Sequence, residues 1–445
     1  MAYKVGMVSL GCSKNLVDSE MLLALVVQDG FELSNDPEDC DVVIINTCGF
    51  IEDAKKESIE TILEFAQRKA DPESRVKAVV VTGCLAERYR EELVKEMPEA
   101  DAVLGIGHNT DIVRAVKEAL AGHKVAEFGD KADLPLSGDR VLSTAPWSAY
   151  LKIAEGCDNK CSYCAIPLIR GGFRSRPMED ILEEARNLAA SGVKELNLIA
   201  QDTTKYGQDL YGEYSLDRLL TELCRIEGFH WIRVLYGYPD RVTDGLLDVM
   251  AREEKVVKYI DLPLQHANGR VLRAMNRGGD FDSLCALMQH IRDKVPGVVL
   301  RTTLIAGFPG ETEEEFAQLC EFVKTVRFDR LGCFAYSVEE DTPAAELPDQ
   351  LDEQTKLHRA DIVMEEQMGI AFEKGRELIG RTLEVLVEGY DEEQMMFVGR
   401  SYMDAPDIDT KTMFTTARED LELGTFVQVE ILDAVGYDLI GREVE

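Results

Sequence analysis

The sequence lacks any apolar stretch long enough to cross a membrane, and residues 1–5 lead directly into a strand-like run rather than a leader peptide. We therefore expect a cytosolic protein with no membrane partner. Basic residues are also scarce, with 49 Lys and Arg against 83 Asp and Glu, and the formal charge is −34. Because polyanion binding needs clustered Lys and Arg, this balance disfavours RNA or DNA and favours a basic partner, unless the acidity serves only solubility.

The cysteines separate into two classes. Eleven cysteines in a reducing compartment are more typical of metal ligands or small buried apolar side chains than of disulfides. Five of them show no pattern and are predicted to be buried, namely Cys40, Cys224, Cys285, Cys320 and Cys333. The other six form two groups of three.

Cys157, Cys161 and Cys164 stand in one C-x-x-x-C-x-x-C run. Three thiolates on a short loop leave the fourth iron of a cubane iron–sulfur cluster without a protein ligand, free to bind a small molecule. The alternative is a structural zinc loop, but zinc prefers four ligands in paired spacing, and the run offers no local fourth ligand. The spacing therefore favours an iron–sulfur cluster with one open iron.

Cys12, Cys48 and Cys84 share one position relative to predicted strands. Each comes immediately after a short β-branched run, and each run is followed by a helical stretch, as in an open parallel sheet. The carboxyl ends of such strands lie at one edge, so the three thiols are expected to converge. The alternative, three unrelated buried cysteines, has to explain three repeats of one topological position.

The chain is long enough for about two to four domains. Alternation of strand-like and helical patterns predicts an N-terminal open parallel α/β sheet and a central partial β/α barrel, and period-two alternation predicts a small antiparallel β-barrel at the C-terminus. The expected boundaries are 1–125, a polar linker at 126–142, 143–375 and 376–445. Gln201 and Thr303 lie near the ends of predicted barrel strands, where chemistry is expected.

Two cysteine triads in this order resemble the radical S-adenosylmethionine (SAM) methylthiotransferase family. The segments that carry the resemblance are 9–20, 45–48, 82–84, 157–164 and 307–312. It implies a [4Fe–4S] cluster on Cys157, Cys161 and Cys164 that binds and cleaves SAM, with Tyr163 near the adenine. It further implies an auxiliary [4Fe–4S] cluster on Cys12, Cys48 and Cys84 that carries the sulfur to be inserted, and a C-terminal TRAM domain. Gln201 and Thr303 are then expected to contact SAM or substrate.

The resemblance leaves two recipients open: an aspartate β-carbon of small-subunit ribosomal protein S-twelve, or a modified adenosine in tRNA. Segments 14–20, 263–266 and 404–409 resemble the enzymes that act on the ribosomal protein. Residues 376–445 hold six Arg or Lys and 17 Asp or Glu. The resulting formal charge of −11 has the wrong sign for binding the phosphates of a nucleic acid. The family also implies a low-potential electron donor. A non-enzymatic iron–sulfur carrier remains as a third reading, although it would not need a barrel around a three-cysteine loop.

Overall fold

The computed structural model describes residues 3–418 and 420–444. It contains a parallel α/β sheet, a partial β/α barrel and a small closed β-barrel, in that order along the chain. The predicted fold class is therefore confirmed. No helix within the described ranges combines the length and the apolar character needed to cross a membrane.

The N-terminal domain is one six-stranded sheet with helices on both faces. Its strands are β1 (Lys4–Ser9), β2 (Glu32–Leu33), β3 (Val42–Thr47), β4 (Ala78–Gly83), β5 (Ala102–Leu104) and β6 (Val125–Glu127), and its helices are α1 (Ser13–Gln28), α2 (Glu52–Ala70), α3 (Cys84–Glu96) and α4 (Ile112–Leu120). The strand order is β2-β1-β3-β4-β5-β6, and all pairs are parallel. The central strands β3 and β4 are buried throughout because helices cover both faces of the sheet.

The central domain forms two three-stranded parallel sheets that face each other as a partial barrel. Its strands are β7 (Ser148–Lys152), β8 (Ala154–Glu155), β9 (Arg174–Ser175), β10 (Glu195–Ile199), β11 (Trp231–Val234), β12 (Tyr259–Asp261), β13 (Val299–Ala306) and β14 (Arg330–Ala335). Its helices are α5 (Ile166–Arg170), α6 (Met178–Ala190), α7 (Gln208–Tyr211), α8 (Leu216–Cys224), α9 (Asp244–Arg252), α10 (Gly269–Ala274), α11 (Phe281–Lys294), α12 (Glu313–Val326) and α13 (Glu353–Glu377). The sheet orders are β11-β10-β7 and β12-β13-β14, and β8 pairs with β9 beside the cysteine run.

The C-terminal domain is a closed barrel of five strands. These are β15 (Thr382–Asp391), β16 (Met396–Ser401), β17 (Thr412–Thr415), β18 (Phe426–Val435) and β19 (Asp438–Val444), in the order β15-β16-β17-β19-β18. Alternate side chains of β15 and β18, including Val385, Val387, Val427 and Val429, fill its interior. The period-two pattern of the sequence thus corresponds to a small barrel core.

The end of β16 and the loop that follows it close the end of the central barrel at which its strands begin. The contacts that close it are Arg400 to Glu195 at 2.5 Å, Arg330 to Asp404, and the Tyr259 hydroxyl to Asp409 at 2.6 Å. Glu195, Tyr259 and Arg330 are each the first residue of a barrel strand. Removal of residues 376–445 would therefore open the barrel as well as delete a surface domain.

We expect Glu195→Gln to destabilise the protein by about 3–5 kcal/mol at neutral pH, because it leaves Arg233 buried without a carboxylate and Arg400 with Glu388 alone. Glu195 is buried, but these arginines lower its pKa from the usual 4.5 to about 2. A lowered folded-state pKa adds stability above pH 4.5 that is lost as pH falls toward 2. The difference in unfolding free energy between the wild type and the variant should therefore shrink only in that pH range. Denaturant unfolding measures it.

The matched control for this experiment is Glu384→Gln. Glu384 also belongs to a contact between the two barrels, with His230 at 2.8 Å, but both side chains are more than a third exposed. Exposed pairs contribute little, so this variant should unfold close to the wild type. Equal losses in the two variants would contradict the role given to Glu195.

Candidate active site

Cys12, Cys48 and Cys84 follow β1, β3 and β4, which are neighbours in the sheet. The loops touch because the residues beside the thiols are small. A Cβ atom on Gly11 would lie 2.8 Å from the Cys48 Sγ, and one on Gly49 would lie 3.0 Å from the Cys84 carbonyl carbon. These distances are too short for any residue larger than glycine without a local shift. The structure therefore brings the three predicted cysteines of the N-terminal domain to one edge of the sheet.

The three thiols differ in their electrostatic surroundings. Burial raises the pKa of Cys48 to about 12, and burial also raises the pKa of Cys84 although Arg170 lies beside it. Cys12 is solvent exposed. Desolvation by the surrounding protein raises its pKa, but the charges of Lys14 and Arg170 outweigh this effect and the net pKa is below the usual value. A bound cation would favour the thiolate at all three positions.

The run that holds Cys157, Cys161 and Cys164 is fixed from several sides. The Asp158 carboxylate accepts a bond from Lys205 at 2.6 Å, and Asn159 donates to Asp202 at 3.0 Å. The backbone NH of Ser162 donates to the carbonyl of Met275 at 3.0 Å. The loop is therefore held by the segments that follow β10 and α10, at the carboxyl end of the barrel strands.

Burial dominates the chemistry of this second triad. It raises the pKa of Cys157 to about 11 and that of Cys164 to about 12, in both cases helped by the neighbouring thiol Cys161. Arg277 lies 3.6 Å from the Cys161 Sγ and supplies a positive charge next to the loop. Burial raises the pKa of Tyr163, whose side chain adjoins Cys161, so this phenol stays protonated.

The thiols of the two triads are not arranged as ligands of a single zinc ion. Tetrahedral zinc with Zn–S bonds of about 2.3 Å would place its sulfur ligands roughly 3.8 Å apart. In the described part of the chain, only His108, Asp111 and Glu127 form a group of three metal-ligating side chains with all ligand atoms within 4.8 Å of one another. Neither cysteine triad meets that limit.

The two triads face each other across a direct contact. Ala165, the residue after Cys164, and Ile169 of α5 pack against Cys84 in one apolar cluster. Arg170, the last residue of α5, donates to the Cys84 Sγ at 3.2 Å. Ligands bound at the two triads would therefore share one space between the N-terminal sheet and the barrel.

A buried ionic network joins the two loops. Asp18 of α1 accepts bonds from Lys152 and from Arg170, each at 2.5 Å, and Lys152 also donates to Glu155 at 2.8 Å. All four side chains are almost completely buried. Sequence reasoning missed Lys152 and Arg170, although one signal was present: Lys152 stands inside the otherwise apolar run 149–154, and a buried charge requires a partner.

The other predicted cofactor contacts lie near the same space. Gln201 follows β10 and donates to Glu155 at 2.5 Å, while its Oε1 atom is buried and has no partner among the described residues. That oxygen is free to accept a bond from a ligand. Thr303 lies on β13, half buried, and its carbonyl accepts a bond from Gln265. Their roles toward SAM, like that of Tyr163, stay predictions.

Comparison with known proteins agrees with this architecture. Residues 4–105 match the model described as uncharacterized protein family UPF0004, residues 151–323 match the radical SAM superfamily, and residues 379–444 match the TRAM domain. The chain is 49% identical to the ribosomal protein uS12 methylthiotransferase RimO of Pelotomaculum thermopropionicum over 100% of both chains. It is 48% identical to the RimO protein of Lachnoclostridium phytofermentans over 98% of this chain and 99% of that one.

The chain belongs to the RimO family of methylthiotransferases. It is therefore a radical SAM enzyme that uses an iron–sulfur cluster and SAM, and the reading as a non-enzymatic carrier is wrong. Among solved structures, the radical SAM methyltransferase TsrM of Kitasatospora setae matches with a TM-score of 0.57 at 14% identity, over 77% of this chain and 75% of that one. That likeness supports the fold alone.

Proposed function

We propose that this enzyme replaces a hydrogen on the β-carbon of an aspartate in ribosomal protein uS12, the S-twelve protein, with a methylthio group. The observation that carries the proposal is the full-length similarity, at 48–49% identity, to relatives that are named for this reaction. The facing cysteine triads support it, because methylthio transfer needs a sulfur source and a radical source within reach of one carbon.

We further propose two [4Fe–4S] clusters, one on Cys12, Cys48 and Cys84 and one on Cys157, Cys161 and Cys164. The division of the six cysteines into two groups, on the N-terminal sheet and on the barrel loop, supports this count. With SAM bound, the second cluster supplies a radical that can remove hydrogen from a carbon that acids and bases cannot deprotonate beside an ionised carboxylate. The reaction also needs a low-potential electron donor from outside the chain.

The side chains of the protein fix the positions of the two cysteine triads. Asp18, Lys152, Glu155 and Arg170 fix the N-terminal sheet relative to the cysteine run of the barrel. Because these side chains are buried and paired, they hold the two triads at one separation without admitting water. Positioning of this kind is what a transfer between two fixed centres requires.

We propose that the acidic C-terminal barrel contacts protein rather than nucleic acid. Part of its negative charge is internal, since Glu388 pairs with the buried Arg400 and Asp404 pairs with the partly buried Arg330. The remaining charge is on the surface, where the exposed acidic residues include Glu392, Glu393, Asp420, Glu422 and Asp433. Such a surface repels phosphates and attracts a basic ribosomal protein, an attraction that added salt should weaken.

Mass spectrometry of uS12 from cells with and without this gene tests the recipient. We expect the methylthio mass on uS12 to vanish when the gene is removed, while methylthioadenosine in bulk tRNA persists. Cells that carry Cys161→Ala should match the deletion, and cells that carry Cys285→Ala should match the wild type, because Cys285 lies on α11 away from both triads. Loss of the tRNA modification with an unchanged uS12 mass would assign the enzyme to tRNA.

A further inference from the structure

Four buried cations surround the space between the triads: Lys14, Lys152, Arg170 and Arg277. Three of them have strong acceptors within the protein. Lys152 and Arg170 hold Asp18, and Arg277 donates to the Pro263 carbonyl at 2.6 Å. These three are therefore committed to holding the protein together around the site.

Lys14 differs from the other three. It is only 8% exposed, yet among the described residues its ammonium forms no ion pair and reaches no carbonyl or carboxylate oxygen. Its ammonium lies instead 3.3 Å from the centre of the Tyr236 ring. A cation–π contact of this kind offsets only part of the cost of burying a charge, so the ammonium keeps its capacity to bind an anion.

Tyr236 is held in an unusual conformation for this contact. Its φ angle is +62°, a left-handed backbone that bulky side chains rarely adopt. Asp261 accepts a bond from its NH at 2.9 Å, and its carbonyl accepts one from the NH of Thr203 at 3.0 Å. Strained residues of this kind persist where the surrounding structure fixes them, most often at ligand sites.

Lys14 and Tyr236 also connect the two triads. Lys14 lies two residues after Cys12, and the Tyr236 hydroxyl is 3.4 Å from the Ser13 hydroxyl. Two residues after Tyr236, the Tyr238 ring stacks at 4.4 Å on Arg277, which contacts Cys161. The ammonium of Lys14 thus lies beside the auxiliary cysteines and packs on segment 236–238, which also contacts the arginine next to the second triad.

We propose that Lys14 binds the side-chain carboxylate of the target aspartate, an inference that rests on the proposed function. The carboxylate is bonded directly to the carbon that receives the methylthio group. Whatever recognises it must lie in the same space between the triads, and Lys14 is the buried cation there whose ammonium reaches no carboxylate or carbonyl acceptor among the described residues. It is a substrate-binding residue that selects an acidic side chain and turns its β-carbon toward the reacting centres.

The test measures binding of fluorescently labelled uS12 to the full-length enzyme with both clusters reconstituted, without SAM or reductant. Two forms of uS12 are compared, one with its target aspartate and one with asparagine in its place. Wild-type enzyme should prefer the aspartate form by at least about 30-fold, since truncation of a buried charge pair costs that much or more. Lys14→Met should bring the ratio close to one by weakening only the aspartate form, and Lys14→Arg should restore part of it.

The control is Lys56→Met, which removes an equal charge from an exposed position on α2 and should keep the wild-type ratio. Equal affinity of the wild type for the two forms of uS12 would overturn the proposal without any variant. A Lys14→Met enzyme that keeps the wild-type ratio would overturn it as well. Failure of the function itself is a separate result, because wild-type enzyme would then leave uS12 unmodified in the presence of SAM and reductant.

Discussion

Replacement of Cys157, Cys161 and Cys164 by alanine in one variant should abolish reductive cleavage of SAM and remove about half of the bound iron. With two four-iron sites, anaerobic reconstitution of the wild type should approach eight irons per chain, and the variant should hold about four. In the proposed site these thiols are the ligands of the cluster that binds SAM, so no residual activity is expected. Iron analysis and assay of 5′-deoxyadenosine measure the two effects.

A matched triple variant controls for loss of thiols as such. Cys224, Cys285 and Cys320 lie on α8, α11 and α12, and they are partly buried at the surface of the barrel core. Their replacement by alanine should leave both the iron content and SAM cleavage near the wild-type values. If the Cys157/Cys161/Cys164 variant retained all of its iron, these cysteines could not be the ligands of the radical cluster.

The fold was predictable because its local patterns agree with its global architecture. The runs that became β3 and β4 are short, apolar and β-branched, which suits strands buried on both faces. Helix α6 begins at Met178 with Pro177 at the capping position, where the missing NH of proline costs nothing. The alternating strands of the C-terminal segment formed the expected closed barrel.

The contacts between domains were not predictable from the sequence. Asp18 and Lys152 are 134 positions apart, and Glu195 and Arg400 are 205 apart, so no local pattern relates them. Each is a charge that is tolerated in the interior only because a distant segment supplies its partner. The acidic composition of residues 376–445 suggested a surface property alone, whereas Asp404 in fact pairs with a barrel arginine.

Replacement of Cys12, Cys48 and Cys84 by alanine should abolish methylthio transfer to uS12 and leave SAM cleavage measurable. The radical cluster is held by its own loop, and the contacts that fix that loop, such as Asp158 with Lys205, do not involve the N-terminal thiols. Iron should again fall by about half. Product analysis of uS12 and assay of 5′-deoxyadenosine on the same sample separate the two functions.

The ionic network should keep the Cys12/Cys48/Cys84 variant folded. Arg170 would lose its contact with the Cys84 Sγ but keep its bond to Asp18 at 2.5 Å, so no buried charge is left without a partner. Cys40→Ala provides the control, because Cys40 is buried in the same domain outside the triad and its replacement should preserve transfer. If the triple variant modified uS12 at the wild-type rate, the N-terminal cysteines would be structural. The sulfur would then have to come from another source.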